Sequence, residues 1–275
     1  MMSYSESISS LSNPKIKNIV LLMRKQTERK EQGLMVVEGE KEILQCLQSG
    51  VEVDSVFICP EIASNQNLVD YCRKVCRPET QFNITPEVFS KVAYRDDSGG
   101  IIVLGKSSYL QLDEVTLPKS PLIVILEQVE KPGNLGAVLR SCDAAAVDLL
   151  IISDPNTDIY NPNVIRSSIG CIFTQKVVAC SSDEAIGWLK SKQINIYAAA
   201  LQTEQYYHQT DFREASALVF GTEATGLTEK WLTAADKIIK IPMLGRIDSL
   251  NVSNSVAIMI YEAKRQRGFE NNPSH

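Results

Sequence analysis

A chain of 275 residues, 44% of them apolar, can bury two modest cores, and no run approaches the ~20 apolar residues that a membrane span requires. The formal net charge of −5 argues against a protein that coats nucleic acid non-specifically, because phosphate contacts need clustered Lys and Arg. Seven cysteines (46, 59, 72, 76, 142, 171 and 180) without scaffold spacing, and only two histidines, His208 and His275, support neither a disulfide framework, nor a metal site, nor a Ser/His/Asp triad.

The first residues, Met1-Met-Ser-Tyr-Ser-Glu-Ser, lack the basic and then apolar plan of a signal peptide, so a soluble cytoplasmic chain with reduced thiols is expected. A helix is predicted from about Pro14 to Glu31, carrying Lys15, Lys17, Arg24, Lys25, Arg29 and Lys30 against Glu28 and Glu31. Such a face is either a solvated helix surface or an RNA contact. The strand Leu34–Glu38, a helix through Cys46, and the strand Val53–Ile58 follow. Next come a helix near Leu68 to Cys76, a strand near Phe82, a short helix from Pro86 and the strand Ile101–Leu104, which together make a small α/β domain over 1–106. Residues 107–120, with three serines, a proline and no sustained apolar period, read as a linker.

Residues 121–275 form the second domain. Strands near 122–126, 148–152, 195–200, 217–220 and 238–241 alternate with helices near 134–146, 183–192 and 254–267. Continuous apolar strands between helices predict a mostly parallel sheet covered on both faces. At the first strand-to-helix junction, Glu130-Lys-Pro-Gly-Asn-Leu-Gly, Asn134 is a plausible N-cap. Arg140 lies one residue step, roughly 100°, off the apolar stripe of Leu135, Val138, Leu139 and Cys142, so it borders the core. Taken alone, it is an ordinary surface arginine. In Leu218-Val-Phe-Gly-Thr-Glu-Ala-Thr-Gly-Leu227 another apolar strand ends in glycines, which either serve a turn or let backbone approach a ligand. The run Ile241-Pro-Met-Leu-Gly-Arg-Ile-Asp-Ser-Leu-Asn-Val-Ser253 fits neither helical nor strand periodicity. It is too apolar for a solvated connection, and reads equally as a half-buried site loop or as a long turn capped by Ser253 or Asn254.

Together, Asn134-x-Gly-x-x-x-Arg140, Phe220-Gly-Thr-Glu-Ala-Thr-Gly-Leu227 and Ile241-Pro-Met to Ser249-Leu-Asn-Val-Ser253 closely resemble the three motifs of the SpoU, or TrmH-like, RNA ribose 2'-O-methyltransferases. Asn161-Pro-Asn-Val-Ile-Arg-Ser-Ser-Ile-Gly-Cys-Ile-Phe173 also resembles the family, and Glu38-Gly-Glu-Lys, with its surroundings, is similar to the L30e-like substrate-binding domain that precedes many of its catalytic domains. Two departures are Ala145-Ala146, where the family usually has Phe-Gly, and Ala224, at a position that is often glycine.

The resemblance implies an L30e-like RNA-binding domain followed by a SPOUT domain with a C-terminal trefoil knot, a homodimer, and S-adenosylmethionine as cofactor without a metal. It places Arg140, Asn134, Glu223, Ser249 and Asn251 at the chemistry. Gly221, Ile241 and Leu250 would meet the cofactor, with Met243 and Leu244 as apolar walls, while Arg166, Lys15, Lys17 and Arg24 would contact RNA. A guanidinium stays protonated, so Arg140 is expected to clamp a phosphate and steady the developing oxyanion rather than act as base. Ribosomal RNA is the expected substrate. The alternatives are transfer RNA and, in another class, a non-catalytic RNA-binding protein that keeps the fold.

Overall fold

The computed structural model describes residues 6–94 and 98–269, so the opening heptapeptide up to Ser5 and His275 lie outside the described residues. Its contacts divide the chain into two compact units, one of residues 1–108 and 158–174, the other of 109–157 and 175–275.

The first unit runs β1 (Glu6–Ile8), α1 (Pro14–Arg24), α2 (Gln26–Gln32), β2 (Leu34–Glu38), α3 (Glu40–Gln48), β3 (Val53–Ile58), α4 (Gln66–Val75), β4 (Gln81–Ile84), α5 (Pro86–Val92) and β5 (Ile101–Lys106). The single N-terminal helix expected from charge is two. The backbone leaves helical space at Lys25 (φ −115°, ψ 117°), which closes α1 and opens α2. The strands order as β1-β4-β3-β5-β2, with β5 antiparallel to both neighbours. Ile16, Ile19 and Leu22 of α1, spaced i, i+3, i+6, pack with Val88 and Phe89 of α5 on Phe57, Phe82 and Ile102. Fully burying one such side chain stabilises by ~1.5–3 kcal/mol.

Arg29 is also interior. It is 3% exposed, and its Nε donates to Asp158 Oδ2 at 2.6 Å, so it is not part of a basic surface. Asp158 opens the segment carrying α7 (Pro162–Ser167) and α8 (Cys171–Thr174), which packs on β2 and α3. Periodicity places this segment with the second domain because it lies between two of that domain's strands; the buried ion pair and the helix contacts place it with the first unit.

The second unit continues through β6 (Leu122–Glu127), α6 (Pro132–Ala144), β7 (Leu149–Ser153), β8 (Val177–Cys180), α9 (Ser182–Ser191), β9 (Asn195–Ala199), β10 (Ser216–Phe220), α10 (Glu229–Ala234), β11 (Lys237–Ile239) and α11 (Val252–Gln266). The sheet is β11-β9-β10-β6-β7-β8, parallel at every pairing. All six residues of β6 and all five of β7 and β10 are buried, as a sheet covered on both faces requires. Alternate residues face opposite ways. Ile123, Ile125, Ala217 and Val219 meet Ala185, Leu189 and Trp231 of α9 and α10, while α6 and α11 pack on each other and α11 covers β6 and β10. The segment read as a linker is not fully solvated: Leu110, Leu112, Val115 and Leu117 pack against the α9–α10 side of this core. The strands β1 and β8 and the short helices α7, α8 and α10 were not distinguished by periodicity, each being too short to show a full period.

Candidate active site

Parallel strands direct their carboxyl ends to one edge of the sheet, and ligands of such sheets bind in the crevice beyond that edge. Here β9, β10 and β11 end at Ala199, Phe220 and Ile239, and the chain beyond each lines a cavity of about 300 Å3. Its walls include Ala199–Gln202, Gly221–Leu227, Ile239–Ile241, Met243, Asp248–Leu250 and Met259. A second cavity of about 120 Å3 adjoins it, formed by Leu126, Glu127, Val129, Glu130, Lys131 and Asn134. Both share the wall Gly221–Ala224 and Val252.

That wall is a tight loop. Thr222 and Gly226 exchange backbone hydrogen bonds (Thr222 N to Gly226 O 3.2 Å, Gly226 N to Thr222 O 3.0 Å), and Gly226 adopts φ +69°. A Cβ on Gly221 would sit 2.2 Å from the backbone of Gly226, so glycine is required there by the loop's own closure. The loop is fixed to the sheet by Glu127, buried at the end of β6, whose two carboxylate oxygens accept from Thr228 N (2.8 Å) and Thr228 Oγ1 (2.6 Å).

Glu223, its side chain 28% exposed, gathers three chain segments. Its Oε2 accepts from Lys131 Nζ at 2.7 Å, and its Oε1 accepts from Asn134 Nδ2 at 3.2 Å and from Asn251 Nδ2. Asn251 Nδ2 also donates to Asn134 Oδ1 at 3.2 Å. The ammonium of Lys131, foremost, with the Asn134 amide and the Val252 backbone, holds the Glu223 carboxyl below its ordinary range; the same contact raises Lys131. A carboxylate that accepts from several donors is the favoured state, because protonation would set an O–H against an N–H.

The helix ends explain how these groups meet. Asn251, rather than Ser253 or Asn254, caps α11, its Oδ1 accepting from Ser253 N at 3.0 Å and Ser253 Oγ at 2.6 Å. Helix α6 begins at Pro132 after Lys131, so Asn134 sits in its first turn and is not the cap; its amide is turned to Glu223 and Asn251 instead.

Of the residues singled out from sequence, Asn134, Glu223 and Asn251 come together, and Gly221, Ile241, Met243, Leu250 and Ser249 line the larger cavity. Ser249 Oγ makes only a 3.4 Å contact to Asp248. Leu244 is not a wall: it is 97% exposed, at the tip of the loop. Arg140 is exposed on α6 and makes no hydrogen bond or ion pair among the described residues. Lys15, Lys17 and Arg24 are exposed on α1 of the first unit, Lys15 with its ammonium 4.9 Å from the Phe82 ring centre. Arg166, on α7 of that unit, stacks over Tyr94 at 4.3 Å and donates to Asn163 Oδ1 at 2.8 Å. Lys131, Glu127 and the strand-end residues Ala199–Gln202 were missed. The strand-end rule could have found the last group; nothing local marks the first two.

The cavity suits a nucleoside-bearing sulfonium cation in size and in its lining of backbone groups and apolar side chains, with no fixed cation of its own beyond Lys240. No group of three or more His, Cys, Asp or Glu that could hold a metal ion occurs among the described residues. No helix among them is long and apolar enough to cross a membrane.

The model of the SpoU rRNA Methylase family matches residues 121–261, and that of the MRM3-like substrate binding domain matches residues 13–103. The 23S rRNA (guanosine(2553)-2'-O)-methyltransferase of Bacillus subtilis is 27% identical over 259 residues, 94% of this chain and 98% of that protein. The tRNA (guanosine(18)-2'-O)-methyltransferase of Thermus thermophilus is 38% identical over 160 residues, 57% of this chain and 81% of that protein. A crystal structure of an RNA 2'-O ribose methyltransferase superposes with a TM-score of 0.82 at 34% identity, covering 95% of this chain and 99% of that one. With the motif residues gathered at one sheet edge and the family model spanning the sheet that holds them, the chain belongs to the SpoU rRNA methylase family.

Proposed function

We propose that this protein transfers the methyl group of S-adenosylmethionine to a ribose 2'-hydroxyl of ribosomal RNA in the cytoplasm. It is an S-adenosylmethionine-dependent RNA (ribose-2'-O-)-methyltransferase. The observation that carries the reading is the pair of cavities sharing one wall, with Asn134, Glu223 and Asn251 tied together beside it. Bound in the larger cavity, the cofactor supplies an electrophilic sulfonium methyl. Gly221, Ile241 and Leu250 hold it through backbone groups and Met243 through its side chain, while the smaller cavity receives the acceptor ribose. Asn134 and Asn251 fix the ribose, and Ser249 adds a hydrogen bond. Arg140 clamps the neighbouring phosphate and steadies the forming oxyanion, while a phosphate oxygen or water takes the hydroxyl proton.

Arg140 makes no bond to the Glu223 cluster of its own chain, and Leu244 (97%), Ile247 (61%) and Tyr261 (45%) are exposed apolar groups. These features support a homodimer in which a second copy completes the site. The strand order, with β10 inserted between β9 and β6 and the chain returning from edge strand β11 to α11, suits the expected trefoil knot. The first unit serves as the RNA substrate-binding domain, with Lys15, Lys17, Arg24 and Arg166 as phosphate contacts. Ribosomal RNA is favoured over transfer RNA because likeness to the ribosomal RNA enzyme runs through both units, whereas likeness to the transfer RNA enzyme covers 57% of the chain. All seven cysteines are thiols rather than disulfides, which suits a reducing compartment.

The test offers labelled S-adenosylmethionine with unmodified ribosomal RNA and with transfer RNA, and identifies the product nucleoside. Label on a ribose 2'-oxygen in the ribosomal pool is expected, and in Arg140→Ala a loss of at least ~100-fold with cofactor affinity retained. Cofactor binding with RNA retention and no transfer to either RNA, or to precursor particles, would favour the binding-only alternative.

A further inference from the structure

Lys131 has no part in the three motifs, yet it is the one cation in contact with Glu223 among the described residues. Of the other charged groups lining the two cavities, Glu127 is engaged by Thr228, Lys240 pairs with Glu204 at 3.4 Å, and Glu130 and Asp248 are carboxylates that would raise Glu223 rather than lower it. Lys131 immediately precedes Pro132 at the start of α6, the helix that carries both Asn134 and Arg140. Its ammonium occupies Glu223 Oε2, which leaves Oε1 to take the amides of Asn134 and Asn251 together.

We infer that Lys131 is a positioning residue for methyl transfer: by holding one oxygen of Glu223, it aims the other at Asn134 and Asn251 and so sets the two amides that fix the acceptor ribose. This rests on the proposed reaction. The physical cause is the two-oxygen geometry of a carboxylate. Without a cation on Oε2 the group is free to rotate, and a proton taken up there would leave Oε1 a neutral and weaker acceptor for the two amides. The side chain of Lys131 is 69% exposed, so replacing it removes no core packing, and the fold is expected to tolerate the change. The competing role for an exposed lysine at this position is a phosphate contact, which predicts a different kinetic signature.

The experiment compares the full chain with Lys131→Met and Lys131→Arg in two measurements. The first follows the Glu223 carboxyl through pH by carbon NMR of the labelled protein and needs no RNA. The midpoint is expected to move up toward the ordinary carboxylate range in Lys131→Met and to return in Lys131→Arg. The second is the pH profile of kcat and KM for RNA. Lys131→Met is expected to lower kcat by roughly tenfold to 100-fold, with KM for RNA little changed and the acidic limb moved to higher pH, and Lys131→Arg to restore both. An unmoved Glu223 midpoint overturns the inference, as does a raised KM for RNA with unchanged kcat, which would mark Lys131 as a phosphate contact. If the wild-type chain methylates no RNA offered, the proposed reaction fails while the NMR titration still decides whether Lys131 governs Glu223.

Discussion

Ala146 stands in a left-handed backbone conformation, φ +46°, directly after α6, where glycine is the usual residue. Val147 N reaches back to Cys142 O at 2.8 Å and Ala146 N to Asp143 O at 3.0 Å, so the helix closure is intact and the alanine carries the strain. Replacing Ala146 with Gly is expected to raise stability by about 0.5–1 kcal/mol, since the relieved strain exceeds the added freedom of the unfolded chain; urea denaturation checks this, and a loss would show that the methyl packs usefully. The other departure from the family pattern, Ala224, is exposed and not among the positive-φ residues, so the loop accommodates it without strain. Gly221 shows the limit of reading a residue alone. Sequence leaves open whether its glycine serves a turn or a ligand, and the 2.2 Å approach of Gly226 shows that the turn by itself requires it.

At the scale of elements, strand positions were legible wherever a run was buried on both faces, because β6, β7 and β10 are each apolar at all but one residue. The basic N-terminal run misled at Arg29, since charge spacing cannot show that this one side chain turns inward to Asp158, 129 residues away. The apolar residues of the 107–120 segment likewise gave no period, because they pack as single side chains on a neighbouring surface. The loop 221–228 depends on an element it does not touch in sequence. Glu127→Ala removes both acceptors of Thr228 and should cost ~1–3 kcal/mol in stability. Because that loop is the wall common to both cavities, cofactor affinity measured by calorimetry is expected to weaken at least ~10-fold, whereas unchanged affinity would mean that the loop is held by its own closure.

For the molecule as a whole, burial pushes the thiols of Cys46, Cys72 and Cys180 up to about 12. Unfolded thiols ionise from ~8.5 upward while these remain protonated, so folding stability falls as pH rises through that interval. Lys264, lowered by burial, works in the opposite sense, against five raised thiols, those of Cys59 and Cys76 included. The urea midpoint should therefore drop between pH 8 and pH 10, and Cys72→Ala should reduce that drop; a flat profile would show that the thiols reach solvent on local opening.

Apolar periodicity, a local property, made the class of both units and the parallel sheet legible in the chain, and Asn134, Glu223 and Asn251 were singled out by the resemblance of their short motifs to the family. Only tertiary contacts show that residues 158–174 pack with the first unit, that Leu244 points outward, that Asn251 and not Ser253 caps α11, and that Lys131 meets Glu223 and Glu127 meets Thr228. Each of these depends on which distant side chain meets which. Glu223 and Lys131 are 92 residues apart, Glu127 and Thr228 101, and no local pattern encodes a pairing that only the closure of the sheet brings within hydrogen-bonding reach.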